Sequence, residues 1–470
     1  MKKTYLGLFA CAILVAGATA CGNAGGDSEG TSPPSSEPTT QPESTDVTVP
    51  SETVPGDATY PERDTFIALA DVPGVTDTEI RYASLALKAN NPLGTNIMDA
   101  YNEGIDAYFA WRNEEGGIYG RQLVLADKID DEFGLNQAKA LEIVGANNRF
   151  GVFVATLIFM GAAELNDAGI PTYVWNIHAN EMAGRNNLFG NAGVGCVSCT
   201  SRVVPYLAHL AGAKKVATVG YGVSENSKTC AQTQAKSVEK YSADLGIEVV
   251  YMNDNLAFGL PNGIGPEVTA MKDAGVEFIT TCIDLNGMKT LAQELNRQGM
   301  DDVTLYHPNT YNQSFVAEAG GIFNGDYVVP GFAAFEYESG SQLQQKFVEF
   351  MDKQGSTLSE LAMVGWIDAD LAFTGLLEAG PNFSRELVIA ATNKLTAYSA
   401  GGLLNPIDWT RQHAAPIPDQ LGSGYAQECF SAVQVKDGKF VGITGSSKPF
   451  LCWPNSTDAW SEPVPTSFIN

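Results

Sequence analysis

Histidine is scarce in this chain. There are four in 470 residues (His178, His209, His307 and His413), with no H-E-x-x-H and no Cys/His cluster at zinc-finger spacing. A metal site therefore has little material, and none is expected. Phosphate loops are missing too: no G-x-x-x-x-G-K-[ST] occurs and no G-x-G-x-x-G opens a helix, so no nucleotide cofactor is expected either. The G-x-S-x-G elbow of a serine nucleophile is absent, which removes one common route to catalysis. Positive charge is also short. Lys and Arg number 28 against 54 Asp and Glu, a formal net charge of −26, and such a surface repels a phosphate backbone. Nucleic acid is excluded as a partner.

What is present begins with MKKTYLGLFACAILVAGATAC: two lysines, an apolar run from Tyr5 to Val15, then small residues up to Cys21. The run is shorter than the roughly 20 apolar residues of a membrane-spanning helix, and the pattern is that of an export signal occupying residues 1–20. Two processing routes fit. Ala18-Thr19-Ala20 suits ordinary cleavage, whereas Ala20-Cys21-Gly22 resembles the end of a lipobox. Cysteine parity favours lipidation: Cys11 leaves with the signal, and acylating Cys21 leaves six cysteines, an even number. The following stretch, GGDSEGTSPPSSEPTTQPESTDVTVPSE, is Ser, Thr, Pro, Gly and Glu with hardly a large apolar side chain. It cannot build a core and reads as a tether over residues 21–75. About 40 such residues reach roughly 35 Å as a coil and about 120 Å as polyproline II.

The folded part is punctuated by glycine. Asn96 to Glu115 places Met98, Tyr101, Ile105, Tyr108 and Phe109 at helical spacing, Gly116-Gly117 ends the helix, and Gln122 to Ala126 reads as a strand. The same order recurs at Gly169 before IPTYVW, Gly246 before IEVVYM, Gly275 before VEFITTC and Gly299 before MDDVTLYH. Helix, glycine, apolar strand, without hairpin signals between the strands, is the mark of βαβ units. Continuous apolar runs such as GVFVATLIF suit strands covered on both faces. The fold expected is α/β with parallel, doubly wound sheets. There are more units than one open sheet comfortably holds, which implies two Rossmann-like lobes, the second starting near Arg202.

In such sheets ligands sit beyond the carboxyl ends of the strands. The residues there are Asn91 after IRYASLAL, Thr156 after GVFVA, and Asn176 and His178 after PTYVW. Tyr221, Glu225 and Asn226 follow KVATVG, Asp284 follows EFITTC, and Asn309 and Tyr311 follow TLYHP. Each alone reads most simply as a loop residue or helix cap. As a group they are strongly polar and aromatic.

The stretches GIDAYFAWRNEEGGIYGRQLVLADKIDDEF, FGVFVATL, AGIPTYVW and MKDAGVEFITTCIDLNGMKTLAQELNRQGM, taken in order, resemble the type I periplasmic binding proteins, in particular the branched-chain amino-acid-binding group that serves ABC importers. The resemblance implies two lobes joined by three hinge crossings, with residues 76–197 and 333–420 in lobe 1 and residues 198–331 and 426–470 in lobe 2. It implies a monomer that binds a small polar solute, an amino acid or related carboxylate, and delivers it to permease subunits from a lipid anchor on the outer face of the membrane. Donors from lobe 1 would hold the ligand carboxylate, matched here by Thr156, Asn176 and His178. A lobe 2 acid would hold the ammonium; Asn309 stands where an acid is usual, and Asp284 could supply the charge, with Tyr221 or Tyr311 beside it.

Two other readings are open. The same clamshell could sense a ligand and report it to a partner. Alternatively Cys196-Val197-Ser198-Cys199, a C-x-x-C just before a helix, could do thiol–disulfide chemistry, although an exported protein favours a structural bond there. Six cysteines allow fifteen pairings. The tail CFSAVQVKDGKFVGITGSSKPFLC reads as two strands with a turn at Lys436-Asp437-Gly438, which brings Cys429 to Cys452. Cys230, opening a helix, and Cys282, ending a strand, are plausible neighbours, which leaves Cys196 with Cys199.

Overall fold

The computed structural model describes residues 63–469 except 93–94, 176–178, 195, 309–310, 416–424, 426 and 446. Its first sheet holds β1 (Glu79–Ala86), β2 (Gln122–Asp130), β3 (Gly151–Ala155), β4 (Thr172–Val174) and β5 (Leu188–Gly190). They run in the order β2-β1-β3-β4-β5, every neighbouring pair parallel. Parallel pairing requires a crossover between strands. Helices α1 (Met98–Glu114), α2 (Asn136–Ala146), α3 (Ala162–Asp167) and α4 (Ala179–Met182) lie in those crossovers. All five residues of β3 are buried, as its continuous apolar sequence predicts.

The turn out of α1 shows why glycine is needed. Gly116 and Gly117 have φ of +100° and +72°, and a Cβ on Gly117 would run into the Arg121 carbonyl. Asn113 then clamps the outgoing strand: its Nδ2 donates to Leu123 O at 2.9 Å and its Oδ1 accepts the Leu123 N–H at 2.8 Å. Buried Arg121 donates to the carbonyls of Thr76, Tyr119 and Ile67, tying the turn to the chain that enters β1.

The second sheet is entered through α5 (Val203–Leu210) and contains β6 (Lys215–Tyr221), β7 (Glu248–Leu256), β8 (Phe278–Cys282), β9 (Thr304–Pro308) and β10 (Tyr327–Val329). Between them run α6 (Glu225–Lys240), α7 (Ser242–Leu245), α8 (Gly265–Ala274), α9 (Leu285–Arg297) and α10 (Gln313–Glu318). The chain then returns to the first lobe as α11 (Gln342–Gln354), α12 (Glu360–Ala379) and α13 (Arg385–Thr392), of which α11 and α12 pack on α1. It comes back as β11 (Gln427–Phe430), β12 (Val433–Lys436), β13 (Lys439–Gly442), β14 (Phe450–Pro454) and β15 (Val464–Thr466). Strand order in the second sheet is β13-β12-β10-β9-β8-β6-β7, with β12 and β13 antiparallel at its edge. The expectation of doubly wound parallel sheets in two lobes is met, with three passages of chain between them.

The tail departs from the expected hairpin. The turn at Lys436-Asp437-Gly438 does join two strands, β12 and β13, but neither carries a cysteine. Cys429 and Cys452 lie on β11 and β14, which pair with each other in a separate three-stranded sheet that places the two residues directly opposite. The tail is thus four strands rather than two, because the hairpin leaves to extend the main sheet. Disulfides join Cys429 to Cys452, Cys230 to Cys282 and Cys196 to Cys199. The last pair stands ahead of the helix start, since α5 begins at Val203 with Arg202 as its N-cap residue.

The first lobe is organised on α12, in which every residue from Ala362 to Leu377 is buried. A Cβ on Gly104 of α1 would meet the Ala362 carbonyl, and one on Gly365 would meet the Tyr101 carbonyl, so the two helices touch backbone to backbone. This apolar seam also encloses charge. Asp370 accepts from Tyr108 at 2.8 Å and Tyr398 at 2.9 Å; Arg112, 2% exposed, donates to Tyr108 at 2.8 Å and lies 3.8 Å from Asp370. Burial raises the Asp370 carboxyl above its ordinary pKa, and Arg112 draws it back. Asp370→Ala should strand the guanidinium and lower stability by about 3 kcal/mol, the low end for breaking a buried pair because Glu115 still faces Arg112. Urea unfolding checks this; a loss within experimental error would show that the pair is dispensable.

Candidate functional site

Strands β6, β8 and β9 are neighbours, and their carboxyl ends open at one edge of the second sheet. Tyr221 closes β6, and its hydroxyl donates to Asp284 Oδ1, two residues beyond β8. The other Asp284 oxygen accepts the Asn286 N–H at 3.2 Å, so the same carboxylate caps α9. The start of α6 is bound into this corner. Ser224 caps it, and Ser227 Oγ accepts the Tyr221 N–H at 2.7 Å while donating to the Cys282 carbonyl. Phe258 lies 5.0 Å from the Tyr221 ring. Burial, and then the Asp284 carboxylate, push the Tyr221 hydroxyl far above its ordinary pKa, so it stays a neutral donor.

Tyr311, beyond β9, forms a second such group. Its hydroxyl donates to Glu336 and accepts the Phe335 N–H at 2.7 Å, and the Phe335 ring lies 5.2 Å away. Its backbone N–H donates to Glu360, the first residue of α12, which brings a first-lobe carboxylate onto a second-lobe loop. Burial pushes the Glu360 carboxyl up to about 7, against the pull of that N–H. The Glu336 carboxyl is raised as well, by burial, and the Tyr311 hydroxyl partly offsets it.

Between the lobes lies a cleft of about 1840 Å³, with Asn96, Leu157, Ile158 and Trp175 on the first-lobe side. Of the residues singled out at strand ends, Tyr221, Glu225, Asn226, Asp284 and Tyr311 line it together. Two do not. Asn91 Nδ2 donates to the Thr95 carbonyl at 2.6 Å within the loop before α1. Thr156 is 4% exposed, and its neighbours Leu157 and Ile158 form the wall in its stead. Asn176, His178 and Asn309 lie outside the described residues, as does Cys21. Glu336 and Glu360 were not found from the sequence. Glu360 follows Ser359, whose hydroxyl accepts the Ala362 N–H at 3.2 Å, so the N-cap pattern Ser-Glu was the available signal. Glu336 sits in a passage between lobes and carries no periodic signal. Fully buried Arg202, just ahead of α5, pairs with Glu428 of β11 at 3.2 Å and donates to the carbonyls of Pro454 and Thr457. Burial lifts the Glu428 carboxyl to about 7 despite that partner.

Residues 92–439 match the family model described as periplasmic binding protein. Among curated proteins, no sequence matches this chain. Solved structures of the same fold include a fatty acid ABC transporter substrate-binding protein from Thermomonospora curvata, 16% identical, covering 85% of this chain and 98% of its own, TM-score 0.61. A branched chain amino acid ABC transporter protein from Thermus thermophilus, with bound valine, is 17% identical and covers 83% of this chain and 97% of its own, TM-score 0.60. A branched-chain amino acid transporter substrate-binding protein from Streptococcus pneumoniae, in complex with isoleucine, is 16% identical and covers 77% and 98%, TM-score 0.62.

Glu360 gives the cleft a pH signature. Its folded pKa lies above the ordinary 4.5, so the folded state favours the protonated acid. As pH rises from about 4.5 to about 7 the unfolded chain gives up this proton first, and stability falls; above about 7 the full penalty is present. Glu360→Gln keeps an acceptor for the Tyr311 N–H and removes the titration. Relative to the unmodified protein, it should gain about 1–2 kcal/mol between pH 5 and pH 8. Thermal unfolding at the two pH values checks this, and parallel curves would refute it.

Proposed function

The chain belongs to the periplasmic binding protein family, and on that premise we propose that it is an exported solute-binding protein that closes two lobes on a small molecule and presents it to the permease of an ABC importer. The observation that carries the reading is the cleft. It lies between two sheets, at the strand ends where parallel sheets bind ligands, and both lobes bring side chains to it. Its volume exceeds the ~300–1,000 Å³ of an occupied small-molecule site, as suits an open clamshell. The structural neighbours support a small-molecule cargo, since valine and isoleucine are bound in two of them and a third is named for fatty acid. A solute at 100 times its dissociation constant should stabilise the protein by about 2.7 kcal/mol and reduce its radius of gyration in solution scattering. A broad panel of metabolites that changes neither quantity would sink the reading.

The proposal includes a lipid anchor at Cys21. Because one acyl chain holds a membrane only marginally, two are needed, which the diacylated cysteine of a lipoprotein supplies. Cys21→Ser should move the protein from the membrane fraction to the soluble one. Finding the unmodified protein equally soluble would rule the anchor out.

A further inference from the structure

The charge on the cleft wall has one sign. The described lining carries Glu103, Glu225, Asp284, Glu336, Glu360 and Glu428, and among the described lining residues there is no lysine, arginine or histidine. Of these six, Glu428 alone forms an ion pair among the described residues, with Arg202. A chain of net charge −26 puts acid on most of its surfaces, so acidity by itself decides nothing. The way three of these carboxylates are held is more informative. Asp284 takes the Tyr221 hydroxyl and the Asn286 N–H, Glu336 takes the Tyr311 hydroxyl, and Glu360 takes the Tyr311 N–H. Every one of these donors is neutral. They fix the carboxylates in position without an ion pair, in a partly desolvated cleft where a cation gains most from meeting a carboxylate and would draw the raised Glu336 and Glu360 carboxyls toward their charged form.

Aromatic rings stand beside both groups, Phe258 at Tyr221 and Phe335 at Tyr311, and an aromatic face attracts a cation further. The wall also exposes apolar side chains: Ile158 is 62% exposed, Val223 78% and Leu358 38%. Neighbouring strands are ~4.8 Å apart, so the groups at the ends of β6, β8 and β9 are within reach of one ligand. We propose that the solute is an organic cation, an amine or quaternary ammonium on an apolar body, held at the two tyrosine–carboxylate groups rather than by a carboxylate of its own. This rests on the solute-binding reading and deepens it. A ligand whose only charge is a carboxylate would meet these acids with no described cation in the lining to offset them.

The test is calorimetric titration of the full chain with choline, benzyltrimethylammonium and phenethylamine, set against the uncharged carbon isostere of choline, octanoate and valine. The cations should bind, the isostere should not, and affinity should weaken as salt is added. Asp284→Asn removes the charge and keeps one acceptor oxygen, which can still cap α9 while the new amide N–H donates to the Tyr221 hydroxyl; it and Glu336→Gln should each weaken cation binding by at least about tenfold. Binding of octanoate or valine without the cations would overturn the inference and leave the solute-binding reading standing. Cation binding that both variants leave unchanged would overturn it too. If no compound of either class binds or draws the lobes together in solution scattering, both readings fail.

Discussion

A parallel sheet returns its chain through a helix after every strand, so all its strands end at one edge, and this constraint shapes what the second lobe presents to the cleft. Tyr221, Asp284 and Tyr311 are close together because β6, β8 and β9 are neighbours in the sheet, although up to 90 positions separate them along the chain. The following helices begin at the same edge, and their first N–H groups need acceptors. Asp284 therefore serves as cap and as cleft residue with one carboxylate, an oxygen for each. The cap and the place in the cleft wall are both observed; a ligand-binding role for the same carboxylate belongs to the proposal.

The first lobe reaches the cleft by a different route. Glu360 is set on α12, the most deeply buried helix of that lobe, whose backbone lies directly against α1 at Gly104 and Gly365. A side chain at the first turn of such an element inherits its rigidity, and rigid support is what a binding group needs. The contact from Glu360 to the Tyr311 backbone thus links the core of one lobe to the rim of the other. The buried Arg112–Asp370 pair and its tyrosines act in the same seam, where hydrogen bonds satisfy charges that close helix packing would otherwise leave without partners.

Much of the fold was legible because its signals are local. Gly117, Gly246 and Gly275 all have positive φ where the sequence marks a helix turning into a strand. Runs such as GVFVA suited strands covered on both faces, and β3 is one, buried along its whole length. Five strand-end residues do share one cleft, for the reason that made them candidates. What the sequence did not reveal depends on side-chain direction or on distant chain. Thr156 occupies a strand end, yet it is buried and leaves the wall to Leu157 and Ile158. Glu336 and Glu360 come to Tyr311 from segments 25 and 49 residues further along, brought there only by the return of the chain to the first lobe. The tail misled for the same reason: its hairpin joined a sheet built from residues far upstream, and the cysteines paired outside it.

The disulfides bear on how well the cleft is organised before a solute arrives. Cys230 and Cys282 both line it, and their bond ties α6 to the end of β8 at the point where Ser227 already bridges the Tyr221 N–H and the Cys282 carbonyl. Tyr221 and Asp284 are consequently held by a covalent link, a shared serine and a helix cap together. Ordering side chains on binding costs about 0.5–1.5 kcal/mol for each one immobilised. On the cation proposal, a corner already ordered by these links avoids most of that cost, so more of the attraction between solute and carboxylate would remain as affinity. An exported protein can rely on such a bond, because the compartment it enters keeps cysteines oxidised.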